Sequence, residues 1–284
     1  MSAPEGVHLL SAGNHRRPCP RCQKSPRDNA LGVTVEQDGA VVWHCFRCGL
    51  AGAQHADRQT ITRPSMKPVK AIPQPIRHET LSDEAARLWR GCYAVRGTLA
   101  NTYLQARHCV EPPPEADLRF CPRAYHWPTK TYHPALVALV TDFADASIQR
   151  SLHFTFLSPN GHDKAAVEPS KLLLYRHQKQ GGVIRLWPDE AITQGLALSE
   201  GIESALSAAH LFTPVWATVD AGNMASLPVI GGIGSLSIYA DHDVAGLAAA
   251  HELANRWRSN GRQARVFMPR EPGLDANDAA QAVA

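Results

Sequence analysis

Two closely spaced pairs of cysteines constrain the fold of this chain more than any other sequence feature. Cys19 and Cys22 form the first pair, and Cys45 and Cys48 form the second. The two-residue gap lets both sulfurs of a pair approach one ion at about 2.3 Å, and four thiolates satisfy the tetrahedral geometry of zinc. The spacing therefore predicts one structural zinc ion bound by all four cysteines.

The residues between the two pairs favour an antiparallel hairpin. Residues 31–36 and 40–44 have the pattern of two short strands. Asp38-Gly39 between them is a turn pair that accepts positive φ. We therefore predict a zinc ribbon at residues 1–58.

Other residues near the cysteines leave alternatives open. His15 and His44 are alternative zinc ligands, and a redox-active cysteine pair is the alternative to a metal site. Trp43 and Phe46 either pack the small core of the ribbon or stack on unpaired bases. Five arginines are candidates for phosphate contacts, with a solvated basic face as the alternative: Arg16, Arg17, Arg21, Arg27 and Arg47.

Charge is distributed unevenly along the chain, although the formal net charge of its 284 residues is only +3. Residues 1–80 carry 11 Lys and Arg against 6 Asp and Glu, whereas residues 191–284 carry 5 against 9. A basic region attracts a polyanion, and acidic clusters often hold metal ions. The pattern indicates a polyanion near the N-terminal part and a metal ion in the C-terminal part.

The composition is that of a globular protein, with 44% apolar and 19% charged residues. A disordered or fibrous protein is therefore excluded. The longest nearly uninterrupted apolar run, at 135–140, is too short to span a bilayer, and residues 1–15 lack the features of a signal peptide. We expect a cytoplasmic protein without a membrane partner.

Beyond the ribbon, the chain divides by its sequence patterns. Prolines and few apolar residues indicate a linker at 59–80. Residues 81–190 mix helical and strand patterns, with strands expected at 135–140 and 151–157. From residue 191 to 284, strand and helix patterns alternate, which predicts a Rossmann-like α/β domain with a parallel sheet. The fold class is therefore α+β multidomain, with a ribbon, a mixed α/β middle domain and a parallel-sheet domain.

Acidic residues follow the predicted strands of the last domain, at strands 195–198, 237–240 and 264–268. They are Glu200, Asp241, Asp243, Asp275 and Asp278. Ligands of open parallel sheets collect at the carboxyl ends of the strands. Asp241 and Asp243 point to the same side of an extended chain and can share Mg²⁺. Helix capping by Glu200 or Asp243 is the alternative for each group alone.

Three segments resemble the motifs of the Toprim domain of primases from phages, plasmids and integrated elements. The segments are residues 198–206, 239–246 and 272–278. The order of a zinc ribbon, a mixed middle domain and a Toprim domain is also that of bacterial-type primases. The resemblance is specific over 19–52 and 195–281 and weak between them.

The resemblance implies a DNA primase that synthesises short RNA primers on a single-stranded DNA template. The reaction would be nucleotidyl transfer from NTPs, with Mg²⁺ or Mn²⁺ as the catalytic metal ion and zinc as the structural one. The implied roles are Glu200 as general acid/base and metal ligand, Asp241 and Asp243 as metal ligands, and Asp275 and Asp278 as residues that complete the acidic site.

One position departs from the family pattern. Bacterial-type members often carry an acidic residue four positions after the Glu, where this chain has Ser204. Glu203 lies one position earlier, which is about 100° of helical rotation, and it is a candidate metal ligand. Basic residues ahead of the Toprim domain are candidates for binding the triphosphate, with a solvated basic face as the alternative: Lys164, Lys171, Arg150 and Arg185.

Two other functions stay open, a Toprim nuclease and a non-catalytic adaptor that binds single-stranded DNA. The segment 231–235 lacks the Gly-Lys-Ser/Thr of a phosphate loop, so the ATPase that usually accompanies such nucleases is not expected. No helicase motif is present, and we expect either a separate replicative helicase as partner or a longer chain. Cys92, Cys109 and Cys121 are interpreted as core or loop thiols.

Overall fold

The chain forms two compact units, Met1–Gln74 and Pro75–Ala284, in the computed structural model. The described residues are 10–23, 25, 28–54 and 79–282. Nearly all of the predicted linker lies outside them, so the boundaries of the three predicted domains stay predictions. Among the described helices, none has the length and apolar character needed to cross a membrane.

The first unit contains a four-stranded antiparallel sheet in the order β1-β2-β3-β4. The strands are β1 (Gly13–Arg17), β2 (Leu31–Val35), β3 (Val41–Cys45) and β4 (Ala51–Gln54). Val33 pairs with Trp43 at the centre, and both side chains are buried. Alternate residues of β2 and β3 therefore build the core, and the predicted hairpin is confirmed.

The two edge strands were not predicted. β1 consists of glycine and polar residues, so it has no apolar alternation. β4 has only small residues and a glutamine. A Cβ on Gly52 would lie 2.7 Å from Cε2 of Trp43, so the glycine lets β4 lie against the indole ring.

The second unit contains one mixed sheet with helices on it. Among its described residues, nine strands join in the order β13-β12-β10-β11-β9-β6-β7-β8, with β5 paired to β6. The strands are β5 (Leu118–His126), β6 (Thr131–Asp142), β7 (Gln149–Phe156), β8 (Lys171–Leu173), β9 (Gly182–Arg185), β10 (Gly195–Ser199), β11 (Val215–Ala217), β12 (Ser235–Tyr239) and β13 (Gln263–Phe267). The helices are α1 (Asp83–Arg90), α2 (Leu99–Ala106), α3 (Ile202–Ala208), α4 (Ala221–Ser226), α5 (Val244–Ser259) and α6 (Ala276–Gln281).

The C-terminal part of this sheet is parallel, as predicted. Strands β13, β12, β10 and β11 are parallel neighbours. In β10, Ala197 packs in one apolar cluster with α3, whereas Leu196 and Leu198 pack in another with α5. Side chains of a strand alternate between its faces. Because helices cover both faces of β10, nearly all of its residues are apolar.

The sheet does not end where the alternating pattern begins. Strand β9 pairs antiparallel with both β11 and β6, through Trp216 with Arg185 and Thr141 with Val183. The antiparallel strands β5 to β9 thus continue the parallel part in one sheet. This continuity brings side chains from residues 81–190 to the edge where the acidic residues lie.

Candidate metal centres

The four cysteines of the first unit come together as predicted. Their Sγ atoms all lie within 4.8 Å of one another. The Sγ atoms of Cys19 and Cys48 are 3.7 Å apart, and those of Cys22 and Cys45 are 3.5 Å apart. A zinc tetrahedron with Zn–S bonds of about 2.3 Å has edges of about 3.8 Å. The cluster therefore fits one zinc ion, without a histidine ligand.

Backbone groups favour the thiolate form of Cys45, whereas burial raises the pKa values of Cys22 and Cys48. Burial opposes the ionisation of Cys45, but N–H groups of Cys48 and Arg47 bring its pKa down to about 7. The side chain of His15 instead contacts the Ser11 carbonyl oxygen at 2.7 Å. The ligand form of cysteine is the thiolate. The N–H groups of Cys48 and Arg47 therefore favour the form of Cys45 that binds a metal ion.

Phe46 and Trp43 have different surroundings. Trp43 is buried in the ribbon core, whereas Phe46 is 64% exposed. The Arg16 guanidinium lies over the Phe46 ring at 4.3 Å, and the His44 ring meets it edge-on at 4.9 Å. The packing interpretation is therefore correct for Trp43 and wrong for Phe46, which offers an exposed aromatic face beside a cation.

The arginines near the cysteines do not act alike. Arg47 donates to both carboxylate oxygens of Asp28, at 2.5 and 2.9 Å, and to the Cys22 carbonyl oxygen at 2.9 Å. It therefore ties two loops of the ribbon together, which corrects its interpretation as a phosphate ligand. Arg27 lies outside the described residues.

The second unit has a small pocket lined by acidic residues. Its volume is about 170 Å³, and its lining includes Glu200 after β10, Asp241 after β12 and Asp275 before α6. Lys171 of β8 and His153 of β7 line the same pocket. The strand ends therefore bring three of the predicted acidic residues together, with a cation beside them.

Asp241 is the most perturbed carboxyl group of this pocket. Its Oδ1 is buried and has no hydrogen-bond partner among the described residues. Burial raises the pKa of Asp241 to about 7, with further contributions from Glu200, Asp275 and Asp243. A buried carboxylate oxygen without a donor is costly, so the side chain is well suited to receive a cation.

Glu200 lies in a similar field. Burial raises the pKa of Glu200, the Asp243 carboxylate adds to the shift, and Lys171 and Lys179 oppose it. Gly201 is the N-cap residue of α3, with no side-chain capping bond. Glu200 is therefore not the N-cap residue of α3, although it accepts a hydrogen bond from the Ala221 N–H at the start of α4.

Asp243 and Asp275 each use a carboxylate oxygen to cap a helix. Asp243 accepts a hydrogen bond from the Gly246 N–H at 2.8 Å, at the start of α5. Asp275 accepts from the N–H groups of Asn277 and Asp278 at 2.7 and 2.9 Å, and Asp278 accepts from the Asp275 N–H at 3.2 Å. Asp278 thus belongs to a capping box and is not among the lining residues of the pocket.

The acidic residues are less tightly grouped than the cysteines. Within the described parts of the chain, the cysteine quartet is the one group of three or more potential ligands whose atoms all lie within 4.8 Å. Magnesium usually keeps several waters and binds one or two carboxylates plus substrate phosphates. An open arrangement of carboxylates therefore suits magnesium, although it would not suit zinc.

Glu203 contacts groups other than the acidic residues. It is buried, and its carboxylate accepts hydrogen bonds from Lys171 Nζ at 2.8 Å and from the Tyr103 hydroxyl at 2.6 Å. Burial opposes its ionisation, but the Lys171 and Lys164 ammonium groups and these hydrogen bonds hold the pKa of Glu203 well below its usual range. Glu203 therefore positions Lys171 at the pocket, and its role as a metal ligand stays a prediction.

The predicted basic residues divide into two groups. Burial lowers the pKa of Lys164, and the Lys171 ammonium group lowers it further. Lys171 lines the pocket, whereas Lys164 is not among the lining residues. Arg150 forms an ion pair with Asp142. Arg185 is buried and donates to Asp189 and Thr141, each at 2.6 Å. The structure therefore does not bring Arg150 and Arg185 to the pocket, because acidic and carbonyl groups of the sheet already bind them.

Three residues near the pocket were missed from the sequence. Burial and Lys171 lower the pKa of His153 to about 4. Lys179 forms an ion pair with Asp220 and interacts with Glu200. Val219 lines the pocket with a φ of +74°, which is rare for a β-branched residue. One signal existed, since His153 lies with Ser151 and Thr155 on the polar face of a strand whose polar and apolar residues alternate.

Two parts of the chain match family models of known proteins. Residues 195–284 match the family model of the Toprim domain, and residues 79–186 match a domain of unknown function, DUF7146. The C-terminal part of the chain is therefore a Toprim domain, preceded by a ribbon whose four cysteines fit zinc. Among curated proteins, the search found no match to this chain.

Several solved structures have a similar fold at low sequence identity. A DNA primase domain from Pseudomonas aeruginosa matches with a TM-score of 0.45 and 13% identity, over 69% of this chain and 73% of that one. The zinc-binding and RNA polymerase domains of the Aquifex aeolicus primase match with a TM-score of 0.44 and 13% identity, over 96% and 78%. The primase fragment of the bacteriophage T7 primase-helicase protein matches with a TM-score of 0.40 and 14% identity, over 95% of each chain.

Proposed function

We propose that this chain is a DNA primase that makes short RNA primers on single-stranded DNA by metal-dependent nucleotidyl transfer. The observation that carries the proposal is the acidic pocket of the Toprim domain, where a buried oxygen of Asp241 has no hydrogen-bond partner among the residues that the structure describes. Glu200 and Asp275 line the same pocket. A four-cysteine ribbon on the same chain supports the proposal because it adds a basic module for the template.

Asp241 and Asp243 would hold Mg²⁺ or Mn²⁺, with Asp275 and Glu200 beside them. The donor set fits, because all are carboxylates, and burial together with their mutual repulsion raises the pKa of Asp241 to about 7. A divalent cation there would neutralise the triphosphate and activate the attacking 3′-hydroxyl. One oxygen of Asp243 caps α5. Asp243 is not among the lining residues of the pocket, but its carboxylate contributes to the raised pKa values of Glu200 and Asp241.

Glu200 acts as the general acid/base in this proposal. The raised pKa of Glu200 is closer to neutral pH than that of a free carboxyl group. Glu200 is therefore suited to take up the proton of the attacking hydroxyl and to release it again. Lys171 and Lys164 hold triphosphate oxygens. The Lys171 side chain stays 36% exposed although it is paired with Glu203. Arg150 and Arg185 have no such role, since Asp142 and Asp189 bind them.

The ribbon chooses the start site in this proposal. The exposed Phe46 ring, with Arg16 over one face, offers base stacking next to phosphate contact. We expect Phe46→Ala to change the distribution of start sites while extension of a preformed primer stays the same. Val42→Ala is the control, because Val42 is also exposed on the ribbon. An unchanged start-site distribution in the Phe46 variant would remove the stacking role.

A product assay tests the proposal against its alternatives. The full chain is incubated with single-stranded DNA, labelled NTPs and Mg²⁺ or Mn²⁺. New short RNA products support a primase, a shortened template supports a Toprim nuclease, and DNA binding without either product supports an adaptor. Asp241→Asn should abolish the products while DNA binding and fold persist, because it keeps the shape and removes the charge. Asp83→Asn, at an exposed position of α1, is the matched control.

Unwinding of the duplex is assigned to another chain. We propose a separate replicative helicase as the partner. Primer synthesis on an unwound template should then need no helicase, whereas synthesis on a duplex should require one.

A further inference from the structure

Two cysteines outside both metal centres lie next to an isolated antiparallel bridge, Cys92 in the bend after α1 and Cys121 in β5. Tyr93 and Phe120 form an isolated antiparallel bridge. The Tyr93 N–H donates to the Phe120 carbonyl oxygen at 2.8 Å, and the Phe120 N–H donates to the Tyr93 carbonyl oxygen at 2.8 Å. In an antiparallel pair, the residues next to such a reciprocal pair occupy a non-hydrogen-bonded position. The register therefore places Cys92 opposite Cys121, with both side chains on the same face.

This position has the dimensions of a disulfide. Opposite residues at non-hydrogen-bonded positions have Cα atoms about 4.5 Å apart. Disulfides span Cα distances of roughly 4.4 to 6.8 Å. Both cysteines are free thiols in the structure. Because the register places them opposite each other, a bond between Cys92 and Cys121 would need little backbone movement.

The two thiols have different surroundings. Cys92 is 8% exposed, and its Sγ donates to the Leu88 carbonyl oxygen at 3.2 Å. Cys121 is partly exposed and lies where a β-bulge begins in β5. The neighbouring Cys92 thiol and the Arg123 N–H lower the pKa of Cys121, although burial opposes them, and the proximity of Cys121 raises the pKa of Cys92. Cys121 is therefore the more reactive thiol and Cys92 the protected one.

We propose that Cys92 and Cys121 are an oxidation site that forms a reversible intramolecular disulfide by exchange with a small disulfide such as oxidised glutathione. The Cys121 thiolate attacks one glutathione sulfur, the glutathione S–S bond breaks, and one glutathione thiolate leaves. The Cys92 thiol then loses its proton and attacks Cys121 Sγ, and the second glutathione leaves. Two protein thiols are oxidised to one disulfide, and one glutathione disulfide is reduced to two thiols that take up the two protons.

The remaining cysteines provide internal controls. Cys109 donates weakly to the Glu203 carbonyl oxygen at 3.7 Å, and burial and the Glu203 carboxylate raise its pKa to about 12. We expect Cys109 to stay reduced, because little thiolate is present at neutral pH. The zinc cysteines are monitored separately through zinc release. This inference does not depend on the proposed function.

Peptide mapping by mass spectrometry tests the inference on the zinc-loaded full chain. The protein is equilibrated with defined ratios of reduced to oxidised glutathione, quenched with acid, alkylated and digested. We expect a linked peptide containing Cys92 and Cys121, formed without zinc release, while Cys109 is alkylated. Loss of the linked peptide on return to reduced glutathione is expected. Reduced Cys92 and Cys121 under conditions that glutathionylate an exposed thiol would overturn the proposal.

Two variants test the order of attack. In Cys92→Ser, Cys121 should retain one bound glutathione, because the resolving thiol is gone. In Cys121→Ser, modification of Cys92 should be several-fold slower than loss of thiols in the parent, because Cys92 is only 8% exposed and burial alone still disfavours its thiolate. Circular dichroism checks that both variants fold. If one variant does not fold, peptide mapping of the parent chain still tests the proposed disulfide. Equal rates in the two variants would contradict the assigned roles.

Discussion

The ribbon and the Toprim pocket both gather metal-binding side chains, and they differ in how closed they are. The four cysteine sulfurs lie within 4.8 Å of one another, and Cys19 and Cys45 are fully buried. The acidic residues instead surround a pocket of about 170 Å³ that also contains Lys171. The ribbon supplies all four ligands that zinc needs, whereas the pocket supplies part of a magnesium shell.

The difference separates a structural site from a catalytic one. Structural zinc sites are closed by protein ligands, and catalytic metal sites keep open positions for water or substrate. The buried oxygen of Asp241 and the raised pKa of its carboxyl group destabilise the folded chain. Such perturbed groups are typical of functional sites. The predictions below test this contrast, beginning with the largest effect.

Replacing Cys45 and Cys48 by serine should remove the closed site. Zinc contributes about 10 kcal/mol to the folding of small zinc modules, and the ribbon core has few other buried residues. We expect the loss of one zinc per chain and loss of protection at residues 13–54, while the second unit stays folded. Metal analysis and hydrogen exchange measure the two effects. Cys109→Ser is the control, and full zinc in the double variant would refute the ligand assignment.

Glu203→Gln should destabilise the second unit by about 1.5 to 3 kcal/mol at neutral pH, because the buried carboxylate loses its charge-assisted hydrogen bonds while the Lys171 side chain, which is 36% exposed, stays partly solvated. Lys171 keeps its charge, and Glu203 is only 4% exposed. The folded-state pKa of Glu203 is lowered, so its contribution is present above the unfolded-state pKa of about 4.5 and is lost as the pH falls further.

Urea unfolding at a series of pH values measures this effect. The difference in free energy of unfolding between parent and variant should be constant near neutral pH and narrow below about pH 4.5. Glu252→Gln is the control, because Glu252 forms an exposed pair with Arg256 that is worth less than about 1 kcal/mol. A difference that does not narrow in acid would show that charge is not the cause.

Gly246→Ala should have the smallest effect on stability and a clear effect on the pocket. An added Cβ would lie 2.7 Å from the Asp241 carbonyl oxygen and 3.2 Å from Asp241 Cβ. Overpacking costs about 1 to 3 kcal/mol, partly offset by the better helix propensity of alanine. We expect reduced primer synthesis with a modest loss of stability.

Gly222→Ala is the matched control for that variant, since its added Cβ would meet Asp220 Oδ1 at an ordinary 3.6 Å. Thermal unfolding and the primer assay are measured side by side. Equal activity of the Gly246 variant and the parent would show that the position of Asp241 is not critical.

The sequence predicted the parts of both sites that depend on local spacing. Cysteine spacing indicated the zinc site, and acidic residues at strand ends indicated Glu200, Asp241 and Asp275. These signals are local, because each ligand group lies within a few residues of a recognisable strand or turn.

Contributions from distant segments could not be predicted. His153 and Lys171 reach the pocket because β9 joins the antiparallel strands to the parallel ones. No local sequence pattern predicts that pairing. Strand β5 was missed because Pro122 interrupts its pattern at a bulge. Arg185 was expected at the pocket, but its burial against Trp216 became evident only from the fold.

The central claim is that the ribbon metal is structural and the pocket metal is catalytic. The most direct test is brief treatment of the full chain with a chelator, followed by zinc analysis and primer synthesis before and after Mg²⁺ or Mn²⁺ is added. The account predicts that one zinc per chain remains, that primer synthesis is lost, and that magnesium or manganese restores it. Primer synthesis that persists in chelator, or that is lost only together with zinc, would contradict the account.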